Sequence, residues 1–181
     1  LQKYLPTLVG VEAEAIGDDR GRMRNVEVEM RERPSALIQP YTASLAVGFA
    51  QMSVSLPAEP VGVGARWEVQ DTNERMGIRV TETLTYEVIS IEGHAVQLES
   101  ARALTATPQD VKFPGLPEGV SLRVQSFHVG GSGTVHLDLS RVVPIDSTTD
   151  LTLRMLANQE HDGKKAEVLL EHTVHTRLLR R

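Results

Sequence analysis

Apolar and polar residues alternate on both sides of a Gly/Asp-rich centre between Val11 and Met30. Alternation with a period of two is typical of a strand with one buried face, and a short turn-forming segment between two such runs predicts a hairpin. On the second arm the apolar residues share one face and the charged residues share the other, which predicts a half-solvated strand. These sets are Val26, Val28 and Met30, and Glu27, Glu29 and Arg31.

The strongest strand pattern runs from Ile78 to Ile91. Glu92 and Gly93 then supply a turn signal, and the run from Ala95 to Leu104 continues the alternation, so we predict that the two runs pair as a long hairpin. The apolar face of the first run contains Ile78, Val80, Leu84, Tyr86 and Val88, and its polar face contains Arg79, Thr81, Thr83, Thr85 and Glu87.

Four more strand-like runs follow, with turn signals between them. They cover residues 121–129, 133–140, 150–158 and 166–179, and the segments GGSG, RVVPIDST and HDGKK separate them. Short strands between turn signals favour antiparallel pairing. The predicted fold is therefore mainly β, with a curved antiparallel sheet that forms a sandwich or a partly closed barrel.

One segment has helical spacing instead. Its apolar residues recur at Tyr41, Leu45, Phe49 and Met52, after a capping Ser35 and a Pro40 suited to a first helical turn. Glycine inside a helix costs roughly 1 kcal/mol relative to alanine, and Gly48 lies within this run. We predict a single amphipathic helix that packs on the sheet.

The length of 181 residues suits a single domain, residues 1–181, with a core that needs no metal or disulfide. Pro57 and Pro60 force extended geometry and mark a connector, so a candidate internal seam lies near 57–60, between the hairpin-plus-helix region and the β meander. The segment 108–119 contains three prolines and two glycines, which predicts a loop.

Composition excludes several classes of function. The formal net charge of -5 opposes nucleic-acid binding, which depends on cationic surfaces that displace counterions. No run of 18 or more apolar residues occurs, so we predict no transmembrane segment. The absence of cysteine removes thiolate nucleophiles, thiolate metal ligands and disulfides. Because the chain starts at Leu1, we expect that a segment such as a targeting peptide has been removed.

The paired glycines of PVGVGARW, Gly62 and Gly64, raise the question of a nucleotide-binding loop. A dinucleotide fingerprint needs a third glycine and a following helix, whereas Trp67 stands where that glycine belongs and the next residues alternate like a strand. We therefore interpret the two glycines as a bend at the entry to the sheet, with Trp67 anchoring the core.

The histidines offer a candidate metal site. His128 and His136 lie at equal distances from Ser132, and if GGSG closes a hairpin they stand opposite each other on adjacent strands. A bulge near Gln125 or Ser126 would place both on the polar face, within reach of Asp138. Two imidazoles and a carboxylate suit zinc when water completes the site. The alternative is a pair of solvent-facing histidines.

No other motif indicates catalysis, so we expect a non-catalytic protein without a cofactor. The serine of Gly131-Ser132-Gly133 lacks the spacing of a nucleophile elbow. His172 and His175 are three residues apart and point to opposite faces of a regular strand, so they cannot share an ion.

The segment PVGVGARW resembles an uncharacterised family of bacterial secreted or lipoprotein-type β domains. TYEV from Thr85 to Val88, the later Glu92-Gly93 pair, and Gly131-Ser132-Gly133 before a Leu-Asp-Leu strand are similar to it in order and spacing. The resemblance implies an extracytoplasmic domain, periplasmic or at the outer surface, that is lipid-anchored through a segment not in this chain. The anchoring cysteine of such lipoproteins is missing here.

Three hypotheses follow. The first is a non-catalytic module of the bacterial cell envelope whose curved sheet holds an apolar small molecule, lipid or peptide, or presents a face to a protein partner. The second is a structural or protein-interaction domain that uses its sheet edge or the 108–119 loop. The third is a metal-dependent hydrolase that uses His128, His136 and Asp138.

Overall fold

The computed structural model describes residues 12–29, 53–75, 77–111, 119–141 and 144–179. These residues form nine strands and no helix, which confirms the mainly β class. The strands are β1 (Glu12–Gly17), β2 (Met23–Glu29), β3 (Arg66–Arg75), β4 (Ile78–Glu92), β5 (Ala95–Ala106), β6 (Gln109–Val111), β7 (Val120–Asp138), β8 (Asp146–His161) and β9 (Lys164–Leu179). The predicted amphipathic helix over residues 35–52 lies outside the described residues.

The contacts among the described residues divide them into two compact units. The first takes those within Leu1–Val61 and Asp138–Pro144, and the second takes those within Gly62–Leu137 and Ile145–Arg181. The division after Val61 lies next to the proline-containing segment at 57–60.

β1 and β2 form the hairpin that the alternation predicts. Asp18 organises its turn, because the Oδ1 atom accepts hydrogen bonds from the main-chain N–H groups of Arg20, at 3.0 Å, and Arg22, at 2.9 Å. Gly21 has a φ of 76°, a conformation that favours glycine. The strand β2 is half-solvated, since Val26 and Val28 are partly buried and the glutamates beside them are exposed.

The second unit is built on a sheet of seven strands with the order β3-β4-β5-β7-β8-β9, and β6 pairs with β7 beside this path. The pairs β3-β4, β4-β5, β6-β7, β7-β8 and β8-β9 are all antiparallel. Strands that follow one another in the chain are therefore mostly neighbours in the sheet, as expected for a meander.

β4 and β5 form the predicted long hairpin, in which Glu92 lies opposite Ala95. Gly93 opens the two-residue loop with a φ of 62°, as a type II′ turn requires. The predicted apolar face of β4 is confirmed, because four of its members are buried. These are Ile78, Val80, Tyr86 and Val88.

The bend before β3 is also confirmed. Gly64 has a φ of 83°, its N–H donates to the carbonyl of Val88 at 2.8 Å, and the N–H of Val88 donates to the carbonyl of Ala65 at 3.0 Å. A strand follows these glycines, so the helix N-terminus that a pyrophosphate site needs is not formed there.

The predicted hairpin at GGSG was wrong. Residues 130–133 continue β7, which is a single strand of 19 residues. A β carbon at Gly131 would lie 1.9 Å from the main-chain oxygen of Asp150, and one at Gly133 would lie 2.1 Å from that of Thr148. These glycines therefore permit a close approach of β8, which is a different use of glycine from a turn.

The predicted bulge in β7 is confirmed by a register shift between Val124 and Ser126. The shift moves the buried positions from one parity to the other, since Val124 and Val129 are both buried. His128 consequently lies on the exposed face, as the sequence predicted.

A short strand occupies part of the segment 108–119, where we predicted a loop. β6 pairs with β7, with Gln109 opposite Val124. The side-chain amide of Gln109 also bonds the main chain of Arg79, accepting from its N–H at 2.8 Å and donating to its carbonyl at 2.9 Å. The amide thus bonds main-chain groups of β4 as a paired strand would. The prolines and glycines of this segment therefore did not prevent a short strand from forming.

The core lies on one face of the sheet. Its buried cluster draws side chains from β4, β5, β6 and β7, namely Ile78, Val80, Leu104, Val111, Val124 and Val129. Full burial of one such side chain contributes about 1.5–3 kcal/mol. Leu151, Leu153 and Met155 of β8 pack against this cluster and are partly buried, so the apolar face extends toward β9.

Candidate functional site

The histidines of the candidate metal site lie on the same strand, β7, and do not face each other. His128 is opposite Arg154, and His136 is opposite Asp146. They are eight positions apart along the strand, a span of about 26 Å at the usual rise. The cross-strand pairing on which the zinc hypothesis depended is therefore not formed.

Asp138 ends β7 and is used by its own turn. Its Oδ1 atom accepts hydrogen bonds from the main-chain N–H of Ser140 at 2.9 Å and from the Ser140 hydroxyl at 2.6 Å. Its Oδ2 atom lies 3.2 Å from Nε of Arg141. Within the described ranges, no group of three or more histidine, aspartate or glutamate side chains is placed to hold a metal ion.

Two histidines instead pair with aspartates on the exposed face of the sheet. Nδ1 of His136 lies 2.5 Å from Oδ1 of Asp146, and Nδ1 of His175 lies 2.5 Å from Oδ1 of Asp150. His172 lies opposite Leu153 and points to the other face, as predicted from its spacing to His175. These pairs connect β7 to β8 and β8 to β9 at the surface of the sheet.

The row through Asp150 also tests a serine nucleophile. Ser132 on β7 and His175 on β9 both lie opposite Asp150, one on each side of it. A Ser-His-Asp triad needs the imidazole between serine and carboxylate. Here the imidazole is two strand spacings from the serine, about 9.6 Å, and cannot take its proton.

Glu82, Arg75 and Arg102 form a partly buried ionic cluster that the sequence pattern did not predict. Glu82 lies on the apolar face of β4, opposite Asp71 on β3 and Leu104 on β5. Its Oε2 atom accepts a hydrogen bond from Arg75, and Nε of Arg102 lies 3.1 Å from its Oε1 atom. The exposed fractions of the three side chains are 8%, 22% and 14%.

The electrostatics of this cluster follow from its burial. Burial lowers the pKa of Arg75, and Arg102 lowers it further, while Glu82 and Asp71 act in the opposite direction. Among the described residues, Oε1 of Glu82 accepts no hydrogen bond, although Nε of Arg102 lies 3.1 Å from it. The cluster therefore joins side chains of β3, β4 and β5, and Asp71, opposite Glu82 on β3, adds a second acidic group that acts on Arg75.

An aromatic pair borders the cluster on the same face. Trp67 on β3 lies opposite Tyr86 on β4, and their rings stack with centroids 5.3 Å apart. Burial raises the pKa of Tyr86, while Arg102 lowers it and Glu82 raises it. A neutral phenol is therefore favoured at this position. Trp67, which we predicted to anchor the core, is partly buried on β3 and is not among the buried core residues.

The edge of the sheet at β9 is the best candidate for an interaction surface. β9 is the last strand in the sheet order and has 16 residues, without a register shift against β8. Leu170 and Val174 lie opposite Met155 and Leu151, on the face that carries the core, yet they are 44% and 39% exposed. The apolar face therefore reaches the edge without full cover.

The opposite edge, β3, differs from the β9 edge in length and composition. It has 10 residues with the sequence RWEVQDTNER, of which five are charged at neutral pH, compared with five of the 16 residues of β9. Short and charged edge strands discourage pairing with another chain. The β9 edge is longer and has no proline. Its central part contains four aliphatic residues, Val168, Leu169, Leu170 and Val174. Only β9 combines length with exposed apolar residues.

Comparison with family models, with curated proteins and with solved structures finds no match to this chain. The described residues also contain no helix that is long and apolar enough to cross a membrane.

Proposed function

We propose that this chain is a non-catalytic β-rich module of the bacterial cell envelope that binds a protein partner through the β9 edge of its sheet. The observation that carries the proposal is the exposure of Leu170 and Val174, which lie on the core-bearing face of the terminal strand. The extracytoplasmic location is supported by the sequence resemblance alone.

A strand from the partner would have two effects on this edge. It would pair with the outward main-chain N–H and C=O groups of β9, and its own side chains would cover Leu170 and Val174. Strand addition of this kind derives affinity from main-chain hydrogen bonds and specificity from alternate side chains. A long edge with exposed aliphatic side chains is otherwise prone to aggregation.

The proposal includes the finer architecture that the sequence predicts. A sheet that curves into a sandwich or a partly closed barrel would cover the core on its central strands and leave the terminal strand least covered. The graded burial of the apolar face, from Leu98 at 0% exposed to Leu170 on β9, supports this arrangement. An apolar ligand is the other class of binding partner that the sequence predicts.

A pair of matched substitutions tests the proposal. Val174→Lys puts a charge on the β9 edge, whereas Val63→Lys puts the same charge on an exposed valine that precedes β3. After chemical cross-linking in an extract of the source cells, the proposal predicts a protein adduct that Val174→Lys removes and Val63→Lys retains. Identical adducts for the wild type, Val174→Lys and Val63→Lys would contradict the proposal. Copurified lipid without a protein adduct would also contradict it.

A further inference from the structure

The β9 edge is complementary to itself. Two copies of one edge strand can be related by a twofold axis perpendicular to the sheet, which makes the strands antiparallel and keeps the apolar faces of both sheets on the same side. Directly opposite residues then have the same parity, so even-numbered residues of β9 meet even-numbered residues of the copy.

One register matches both faces of the strand. With His172 opposite its own copy, Leu170 lies opposite Val174 on the apolar face, and each contact occurs twice by symmetry. On the other face of the sheet, Glu167 lies opposite Arg177. Both of these charged residues are exposed, and neither forms an ion pair with another described residue.

The neighbouring registers are less favourable. A shift of the pairing by one step in one direction places Glu171 opposite its own copy and Lys165 opposite Arg177, so that like charges face each other. A shift in the other direction places Arg177 opposite Leu169 and leaves Glu167 without a basic partner. Opposite charges across strands stabilise a pair, and like charges directly opposite destabilise it.

We propose that the partner at the β9 edge is a second copy of this chain, joined antiparallel with His172 at the twofold axis. This inference rests on the proposed function and specifies its partner. The dimer joins the two sheets into one continuous sheet and covers Leu170 with Val174 of the copy. It also places the Glu167–Arg177 pairs on the outer face, near the two ends of the shared strands.

The charged pair allows a sharp test in the full chain. Glu167→Arg makes the two positions both basic, and Arg177→Glu makes them both acidic, so each single variant should dimerise about tenfold more weakly. The double variant Glu167→Arg/Arg177→Glu restores opposite charges and should recover the wild-type dissociation constant. A mixture of the two single variants should form a heterodimer. Sedimentation equilibrium measures the dissociation constants of the wild type, the three variants and the mixture.

The possible results separate this inference from the proposed function. Wild-type protein that stays monomeric at every concentration, or a dimer that neither single variant weakens, overturns the second copy as the partner. In either case the cross-linking of Val174→Lys and Val63→Lys still decides whether the β9 edge binds another protein. Because Glu167 and Arg177 are exposed, circular dichroism should show unchanged folding in every variant. Val174→Lys should also abolish the dimer.

Discussion

Glu82 and Arg75 form an ion pair on the core-bearing face of the sheet, across the hairpin of β3 and β4. Arg102 of β5 lies on the other side of the same carboxylate. Two partly buried guanidinium groups thus lie beside one buried carboxylate on the core-bearing face. Charges in such a place are costly to desolvate, so removing one partner should destabilise the fold far more than removing a surface pair.

Two substitutions on β4 test this difference. Glu82→Gln removes the buried carboxylate that Arg75 and Arg102 share, and we expect a loss of about 3 kcal/mol in the free energy of unfolding. Glu87→Gln removes the partner of Arg66 in a pair whose side chains are 29% and 71% exposed, and the expected loss is below about 1 kcal/mol. Urea unfolding measures both. Equal losses for the two variants would mean that burial of the cluster has no energetic consequence.

The glycines of β7 provide a second prediction. Gly131→Ala would place a methyl group against the main chain of β8, and overpacking of this kind costs about 3 kcal/mol. Gly62→Ala is the control, since nothing lies within 4 Å of the added carbon there, and its effect should stay within about 0.5 kcal/mol. Thermal unfolding compares the two. A tolerated alanine at Gly131 would argue that the GGSG segment forms a turn after all.

Tyr86 should make stability depend on alkaline pH. Its pKa is raised in the folded state by burial, so the folded protein holds the phenolic proton more tightly than the unfolded chain. Its contribution is complete below the unfolded pKa, about 10, and is lost as the pH rises through the folded value. Unfolding by urea at a series of pH values measures this loss. In Tyr86→Phe the alkaline decline should be shallower, and an unchanged decline would show that other groups cause it.

Much of the fold could be predicted from local pattern. Alternation on β4 and β5, with Gly93 at the turn, defined the long hairpin because apolar burial and turn chemistry agree there. The change of parity between Val124 and Phe127 similarly required a bulge, and the structure contains one. In each case the information lies within a few consecutive residues.

The other features depend on contacts between distant residues. Gly131 is needed because β8 passes close to it, and a glycine cluster in a sequence does not distinguish a close approach from a turn. Glu82 occupies a position of β4 between Val80 and Leu84 that the alternation assigns to the apolar face. An acidic residue at such a position was the sequence signal for a buried ion pair. The position of β9 at the end of the sheet follows from strand order, which alternation does not specify.

Amide hydrogen exchange, resolved by residue and repeated over a range of protein concentration, tests the central claim most directly. If the β9 edge pairs with the β9 edge of a second copy, alternate amides from Lys164 to Leu179 should exchange more slowly as concentration rises, because their outward N–H groups gain acceptors. The amides of β3, at the other edge, should not change. Concentration-independent exchange along β9, or slowing that is confined to β3, would contradict the account.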